Sequence, residues 1–283
     1  MILADVHILH QSDNYKVSNY TCHCNTCSVT KPEYNESFCI SFVQKGYFEY
    51  RSFRRAEEMH AGRILLSKAG YEHVTKHIDN QPDITTEFEF TAGFFKAIQS
   101  QYGEGSWFLR NNDVHSVVLY SQPTDEYLHD AIRRQLNGSY DALAVDELVF
   151  QLLDIIMLKL SKGETATLLS PNLIKNHLVT IERAKEYILE HFKESISLET
   201  LAAYCYVSPF HFSRIFKTVL KMTPHQFLLG TRMEHAKALL FTTTLPVSDI
   251  AFECGFNSPE HFVTSFKQTF RQTPSLFRTQ MPI

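Results

Sequence analysis

The C-terminal third of this 283-residue chain contains one stretch of sequence twice, and this repeat limits the possible folds more than any other feature. Within the twenty positions that start at Ser208, nine residues are identical to the residue 50 positions later. Self-similarity of this kind indicates two copies of one supersecondary unit. The identical pairs are Ser208-Pro209 and Ser258-Pro259, His211-Phe212 and His261-Phe262, Phe216-Lys217 and Phe266-Lys267, Thr223-Pro224 and Thr273-Pro274, and Phe227 and Phe277.

Each copy carries residues that are typical of helix starts. The hydroxyl of a Ser-Pro or Thr-Pro pair caps free backbone N–H groups, and the fixed φ of the proline suits the first helical position. A shorter amphipathic segment precedes each Ser-Pro pair, from Leu198 to Tyr204 and from Val247 to Cys254. Two helices joined by a tight turn form a helix-turn-helix, whose second helix enters the DNA major groove. Helices are therefore predicted to begin near Pro209, Pro224, Pro259 and Pro274.

Helical spacing divides the second helix of each copy into a core face and an outward face. The core face is predicted to hold Phe212, Ile215 and Phe216 in the first copy and Phe262, Ser265 and Phe266 in the second. Arg214 is the best candidate for direct base reading, because its guanidinium can pair with a guanine edge through two hydrogen bonds. The candidate DNA-binding residues are Phe210, Ser213, Arg214, Lys217, Glu260, His261, Thr264 and Lys267.

The distribution of charge supports a DNA-binding end. The whole chain has a formal charge of -4, which by itself argues against binding to phosphates. From Leu201 onward, however, eight Lys and Arg residues stand against four Asp and Glu, so this part is +4 and the first 200 residues are -8. Such asymmetry is typical of a chain in which one end faces nucleic acid.

The segment from about Leu178 to Met281 resembles the double helix-turn-helix domain of the AraC/XylS family of bacterial transcription regulators. The resemblance implies a DNA-binding domain over 176–283, with helix-turn-helix units at about 197–219 and 246–270, and promoter or operator DNA as the partner. This chain departs from the family at Lys221 and Arg271, where Gly is usual, and at Thr264, where a basic residue is frequent. The residues that carry the resemblance are Leu201-Ala202, Ser208, Phe212, Phe216-Lys217, Thr223-Pro224, Arg232, Ala236, Leu239-Leu240, Ile250-Ala251, Gly255-Phe256, Phe262, Phe266-Lys267, Thr273-Pro274 and Phe277-Arg278.

The N-terminal part reads as short strands between turns. Phe38, Ile40 and Phe42 alternate with smaller residues at the strand period of two, and turns are indicated at Lys45-Gly46 and Ala61-Gly62. Strands at this spacing favour a small barrel or sandwich. We therefore predict an α+β multidomain chain, in which a cupin-like N-terminal β-barrel with a helical hairpin precedes the all-α double helix-turn-helix.

The predicted domain order places a hairpin and a linker between the two ends. Residues 1–122 form the β domain, 123–160 form two helices with apolar residues on one face, and 161–175 are a small, polar linker. The hairpin has two open interpretations, packing on the barrel or forming a dimer face.

The resemblance extends weakly to the N-terminal part, which is similar to the cupin-like effector and dimerisation modules of the family. It implies a small-molecule effector, a homodimer, a possible contact with RNA polymerase and no cofactor. The chain has no run of about 18 apolar residues and no secretion signal, so a cytoplasmic protein without membrane contact is expected.

Two alternatives remain open. The thiols of Cys22, Cys24, Cys27 and Cys39 are dense enough to hold zinc, so a thiol or zinc sensor is one of them. The other is a cupin-type enzyme joined to a DNA anchor, suggested by His73 and His77. Their spacing does not match a metal cupin, and phosphate-loop and nucleophile motifs are missing, so no enzyme activity is expected.

Overall fold

The structure is a computed structural model. It describes residues 4–23, 29–53, 55–77, 82–103, 106–138, 140–163, 165–166 and 171–280. For residues 171–175 it describes the backbone only. The chain divides into two compact units, which are described separately below. The first unit comprises Met1–Ser121 and Ala131–Glu182, and the second comprises Gln122–Asp130 and Arg183–Ile283.

The first unit contains two antiparallel sheets. The larger sheet has the order β1-β2-β9-β4-β7-β10, and the smaller sheet has the order β3-β8-β5-β6. Gly46 and Gly62 occupy the predicted turns with φ of 92° and 91°, a backbone conformation that costs glycine little. The strands are β1 Ala4–Gln11, β2 Tyr15–Cys22, β3 Glu33–Tyr34, β4 Phe38–Lys45, β5 Tyr47–Ser52, β6 Arg55–His60, β7 Arg63–Ser67, β8 Glu72–His77, β9 Asp83–Phe90 and β10 Ser116–Tyr120.

The prediction of a sheet-rich N-terminal part and a helical C-terminal part is confirmed, but the prediction of a closed barrel is wrong. In the part of the chain that the structure describes, the larger sheet ends at β1 and β10 and the smaller one at β3 and β6. Alternation and turn spacing are the same for barrels and sandwiches, because closure depends on pairing between strands that are distant in sequence.

The helices include the two that were predicted as a hairpin, α3 and α4. Leu128, Ile132 and Leu136, predicted to share one face of α3, are all buried. Residues 171–175 of the predicted linker lie within α5, and the linker bounds stay a prediction. The helices are α1 Ala92–Tyr102, α2 Trp107–Arg110, α3 Pro123–Leu136, α4 Ala142–Ser161, α5 Pro171–His191, α6 Leu198–Tyr204, α7 Pro209–Leu220, α8 Pro224–Thr242, α9 Val247–Glu253, α10 Pro259–Phe270 and α11 Pro274–Thr279.

The two faces of the larger sheet differ in polarity. One face is apolar and packs on helices of the same unit, as when Phe38 stacks on Phe95 of α1 with ring centroids 4.7 Å apart. On the other face, Val43 and Leu65 pack with Tyr50 of the smaller sheet. This face also carries polar groups, and the Ser41 hydroxyl donates a hydrogen bond to the Glu87 carboxyl at 2.8 Å.

The core of the second unit follows the sequence repeat. Phe262 and Phe266 of α10 are fully buried against Met233 of α8 and Ile250 of α9. Near the start of α3, Glu126 accepts a hydrogen bond of 2.6 Å from the Lys185 ammonium, and both side chains are buried. Among the described residues, none of the helices is both long and apolar enough to span a bilayer.

Candidate nucleic-acid interface

Four helices of the second unit begin as the hydroxyl-proline pairs predict. The Ser208 hydroxyl accepts a hydrogen bond from the His211 N–H at 3.4 Å, and the Ser258 hydroxyl accepts one from the His261 N–H at 3.2 Å. Thr223 and Thr273 cap α8 and α11 in the same way. Each cap satisfies one of the backbone donors that a helix start leaves without a helical partner. The predicted start sites near the four prolines are therefore confirmed.

The turns before α7 and α10 have matching hydrogen bonds. The N–H groups of Cys205 and Cys254 donate to the carbonyls of Leu201 and Ile250, both at 3.0 Å. One residue further on, Tyr206 has a φ of 59° and Gly255 a φ of 80°. A left-handed residue at this point reverses the chain within a few residues. Both copies therefore place their second helix by the same turn.

The predicted division of α7 and α10 into two faces agrees with the structure. Phe212, Ile215 and Phe216 are buried in α7, and Phe262, Ser265 and Phe266 are buried in α10. The predicted DNA-facing residues lie on the opposite face, where Ser213 is half-buried and the others are exposed. The exposed residues are Phe210, Arg214, Lys217, Glu260, His261, Thr264 and Lys267.

The two exposed faces differ in charge. The α7 face carries Arg214 and Lys217 without a carboxylate, whereas the α10 face carries Glu260 as well as Lys267. The Thr264 hydroxyl donates to the Glu260 carbonyl at 2.9 Å, so part of its hydrogen-bonding capacity is used within the helix. The geometry thus gives α7 the stronger attraction for phosphates and for guanine edges.

The two helices end in left-handed residues. Lys221 follows α7 with a φ of 60°, and Arg271 follows α10 with a φ of 64°. The Arg271 N–H donates to the Lys267 carbonyl at 2.9 Å. The chain therefore keeps the backbone conformation for which glycine is favoured, but with basic side chains at the negative ends of both helix dipoles.

Arg232 has a structural role in the second unit. It donates hydrogen bonds to the carbonyls of Phe192 and Glu194, both at 2.7 Å. Its guanidinium also lies over the Phe256 ring, 5.6 Å from the centroid. This is within the distance of about 6 Å at which a cation is attracted to an aromatic face. Arg232 thereby fastens α8 to the end of α5, where backbone carbonyls lack helical partners.

Comparison with known proteins agrees with this geometry. A family model described as a helix-turn-helix domain matches residues 201–280. The HTH-type transcriptional activator RhaS of Klebsiella pneumoniae (strain 342) is 26% identical over 283 residues, which cover 94% of this chain and 95% of RhaS. The C-terminal region therefore carries an AraC-type helix-turn-helix domain, and its homologues include AraC/XylS-family transcription regulators.

Other proteins match over shorter ranges or at lower identity. The bifunctional transcriptional activator/DNA repair enzyme AdaA of Bacillus subtilis (strain 168) is 36% identical over 98 residues, covering 35% of this chain and 46% of AdaA. Across the first three curated relatives, the chain spans between 14% and 64% of their length. The structure of ToxT from Vibrio cholerae strain SCE256 with a bound unsaturated fatty acid is 11% identical, covers 96% of this chain and 97% of ToxT, and has a TM-score of 0.42.

Tyr206 is a surface feature that the sequence reasoning missed. Its side chain is 85% exposed in the first helix-turn-helix turn, and the Arg183 guanidinium lies 5.7 Å from the centre of its ring. The sequence signal for this exposed ring is the difference between the two copies, because the first copy has Tyr206 where the second has Gly255.

The predicted metal and thiol candidates that the structure describes, Cys22 and Cys39, lie on different strands. Cys22 is buried at the end of β2 near His77, whereas Cys39 is buried in β4, where burial raises the pKa of its thiol well above the usual value. Cys24 and Cys27 lie outside the described residues. His73 does not join His77, because its ring stacks on Tyr50 at 4.8 Å.

Proposed function

We propose that this protein is a sequence-specific transcription regulator of the AraC/XylS family that binds double-stranded DNA through α7 and α10. The observation that carries the proposal is that two copies of one helix-turn-helix each bury one face of their second helix and expose the other. Because a recognition helix reads base edges in the major groove, the exposed faces supply the contacts. Arg214 is assigned to a base, and Lys217 and Lys267 are assigned to phosphates.

We also propose that the protein acts as a homodimer. Its basic end carries a charge of only +4, and α10 includes a carboxylate in its exposed face. Since phosphate contacts supply a large share of DNA affinity, one copy of such a domain binds weakly. A dimer doubles the number of contacts and sets the spacing of the DNA half-sites. Contact with RNA polymerase is part of the proposal because the relative RhaS is named an activator.

The proposed effector is a polar small molecule that binds between the sheets of the first unit. The Ser41 hydroxyl donates to the Glu87 carboxylate at 2.8 Å, and the Asn35 amide donates to the Tyr50 hydroxyl at 3.2 Å. Ligand sites combine apolar walls with a few polar groups that fix orientation, and this face of the sheet has both. We propose no catalytic step for the protein, in line with relatives that are named transcription regulators.

The test is footprinting of genomic DNA with the purified full-length protein. We expect protected sites that contain two half-sites and an affinity that falls steeply as salt rises, because cations are displaced from the phosphates. Genes beside the protected sites then supply candidate effectors. An affinity that is the same for all DNA sequences, or that does not depend on the salt concentration, would contradict the proposal.

A further inference from the structure

A cysteine, a histidine and an aspartate meet in the first unit, whereas the candidate DNA-binding helices belong to the second. The Cys22 Sγ lies 3.7 Å from the His77 Nε2, and the His77 Nδ1 lies 2.6 Å from an Asp83 carboxylate oxygen. One donor atom from each of the three residues falls within 4.8 Å of the others. The His77 and Asp83 side chains are only 8% and 9% exposed, and Cys22 is buried.

The cluster connects the two sheets. Cys22 of β2 and Asp83 of β9 are directly opposite in the larger sheet, and His77 ends β8 in the smaller sheet. Gly46 packs on Asp83 so closely that a Cβ at Gly46 would lie 2.5 Å from the Asp83 Cβ. Three strands, β2, β8 and β9, and the turn at Gly46 thus meet at these side chains.

The distance between sulfur and nitrogen matches that of two ligands of one zinc ion. Zinc bonds to cysteine sulfur at about 2.3 Å and to histidine nitrogen at about 2.0 to 2.1 Å in tetrahedral sites. Two such bonds at the tetrahedral angle place the sulfur and the nitrogen about 3.6 Å apart. The observed separation of 3.7 Å between Cys22 and His77 agrees with this value.

Asp83 selects the form of His77 that binds a metal. A carboxylate within hydrogen-bond distance of Nδ1 favours the tautomer that carries its proton there, which leaves the Nε2 lone pair directed at the Cys22 side. Histidine ligands of zinc usually donate their second ring N–H to a carboxylate or carbonyl in this way. The arrangement therefore contains two ligands of a zinc site and the group that orients one of them.

We propose that Cys22 and His77 bind a zinc ion between the two sheets, and that Asp83 is a positioning residue for His77. The bound ion joins β2 of one sheet to β8 of the other, so it stabilises the first unit against unfolding. This site differs from the cysteine cluster that the sequence indicates, because it depends on a histidine and an aspartate that are 55 and 61 residues from Cys22 in the sequence.

The experiment titrates the reduced, tag-free, full-length protein with Zn²⁺ in competition with a chromophoric chelator, and with Co²⁺ as a spectroscopic probe. We expect one Zn²⁺ bound per chain, a thiolate-to-cobalt absorption band, and a melting temperature that rises with Zn²⁺. Cys22→Ser removes the band, and His77→Gln weakens Zn²⁺ binding. Asp83→Asn keeps the band but lowers Zn²⁺ affinity by about 10- to 100-fold.

Matched controls separate this site from other cysteines and histidines. Cys39→Ser alters a buried thiol on β4 of the same sheet, and His191→Gln alters a histidine that pairs with Glu194 at 3.0 Å on the surface. Both controls keep wild-type Zn²⁺ affinity. Melting curves without metal show which variants fold. Wild-type protein that binds no Zn²⁺ stoichiometrically, or a folded His77→Gln variant that binds Zn²⁺ as tightly as the wild type, overturns the proposal.

Discussion

Lys221 and Arg271 have nearly the same left-handed backbone conformation, with φ of 60° and 64°, at equivalent ends of α7 and α10. In this region the Cβ of an L-residue crowds its own backbone, at a cost of about 1 to 2 kcal/mol relative to glycine. We therefore expect Lys221→Gly to raise the free energy of unfolding of the second unit by about 1 kcal/mol. Urea unfolding of the full chain, followed by a probe in the second unit, measures the change.

The control for this substitution is Lys217→Gly, one turn earlier in α7. Lys217 lies within a regular helix, where glycine lowers stability by about 1 kcal/mol. Opposite signs for the two substitutions are expected. A Lys221→Gly variant that is less stable than the wild type would show that the lysine side chain contributes more than the backbone costs.

Gly255 is predicted to tolerate no side chain. It has a φ of 80°, and a Cβ built on it would lie 2.6 Å from the Lys193 carbonyl oxygen. We expect Gly255→Ala to lower the free energy of unfolding by more than about 1 kcal/mol. Alanine disfavours the left-handed backbone conformation, and its methyl group would clash with the Lys193 carbonyl. Gly138→Ala is the matched control, since a Cβ at Gly138 would have no neighbour within 4 Å among the residues that the structure describes. The two melting temperatures are compared by calorimetry, and equal values would contradict the prediction.

Sequence reasoning located the helix-turn-helix units well because their signals are local. A hydroxyl before Pro209 or Pro259 specifies a helix start within a few residues, and helical spacing then separates Phe212 and Phe262 from the exposed side chains. The arrangement of strands was harder to predict, because closure of a sheet depends on pairing between distant segments. The Cys22 and His77 contact shows the same limit, since it joins residues that are far apart in the sequence.

Arg214 and Lys217 are predicted to contribute to DNA binding in different ways. Arg214→Ala should lower affinity by about 1 to 3 kcal/mol and relax the preference at one base pair. Lys217→Ala should weaken binding to all sequences and make the dependence on salt less steep by about one phosphate contact. Fluorescence anisotropy with a footprinted site and its single-base variants, at several salt concentrations, measures both effects. Identical salt slopes and base preferences for the two variants would contradict these roles.

Breaking the buried pair of Glu126 and Lys185 is predicted to destabilise the second unit. Their side chains are 7% and 9% exposed and are joined at 2.6 Å. Lys185→Met leaves the Glu126 carboxylate without this partner, which typically costs about 3 to 5 kcal/mol in a buried site. The double variant Glu126→Leu with Lys185→Met should recover much of the loss, because no charge is then buried. Thermal unfolding of the three proteins tests this, and a double variant no more stable than the single one would contradict it.

Glu87 is predicted to make the first unit less stable as pH rises. Burial between the sheets raises the pKa of this carboxyl from its ordinary value of 4.5 to about 7. Between these two pH values the folded state therefore holds a proton that the unfolded state has released. Since the folded state binds more protons, the free energy of unfolding falls as pH rises through this window. The loss amounts to about 3 kcal/mol by pH 8.

Glu87→Gln isolates this effect, because the amide keeps the shape of the protonated acid and does not titrate. Relative to the wild type, the variant should gain stability progressively from about pH 5 to pH 8, since only the wild type must bury a carboxylate there. Urea unfolding at several pH values, monitored by a probe in the first unit, gives the two curves. Glu33→Gln is the control, as the Glu33 side chain is 61% exposed, and its curve should run parallel to that of the wild type. A wild-type curve that rises across this window, or a Glu87→Gln curve parallel to it, would show that Glu87 is not protonated in the folded protein.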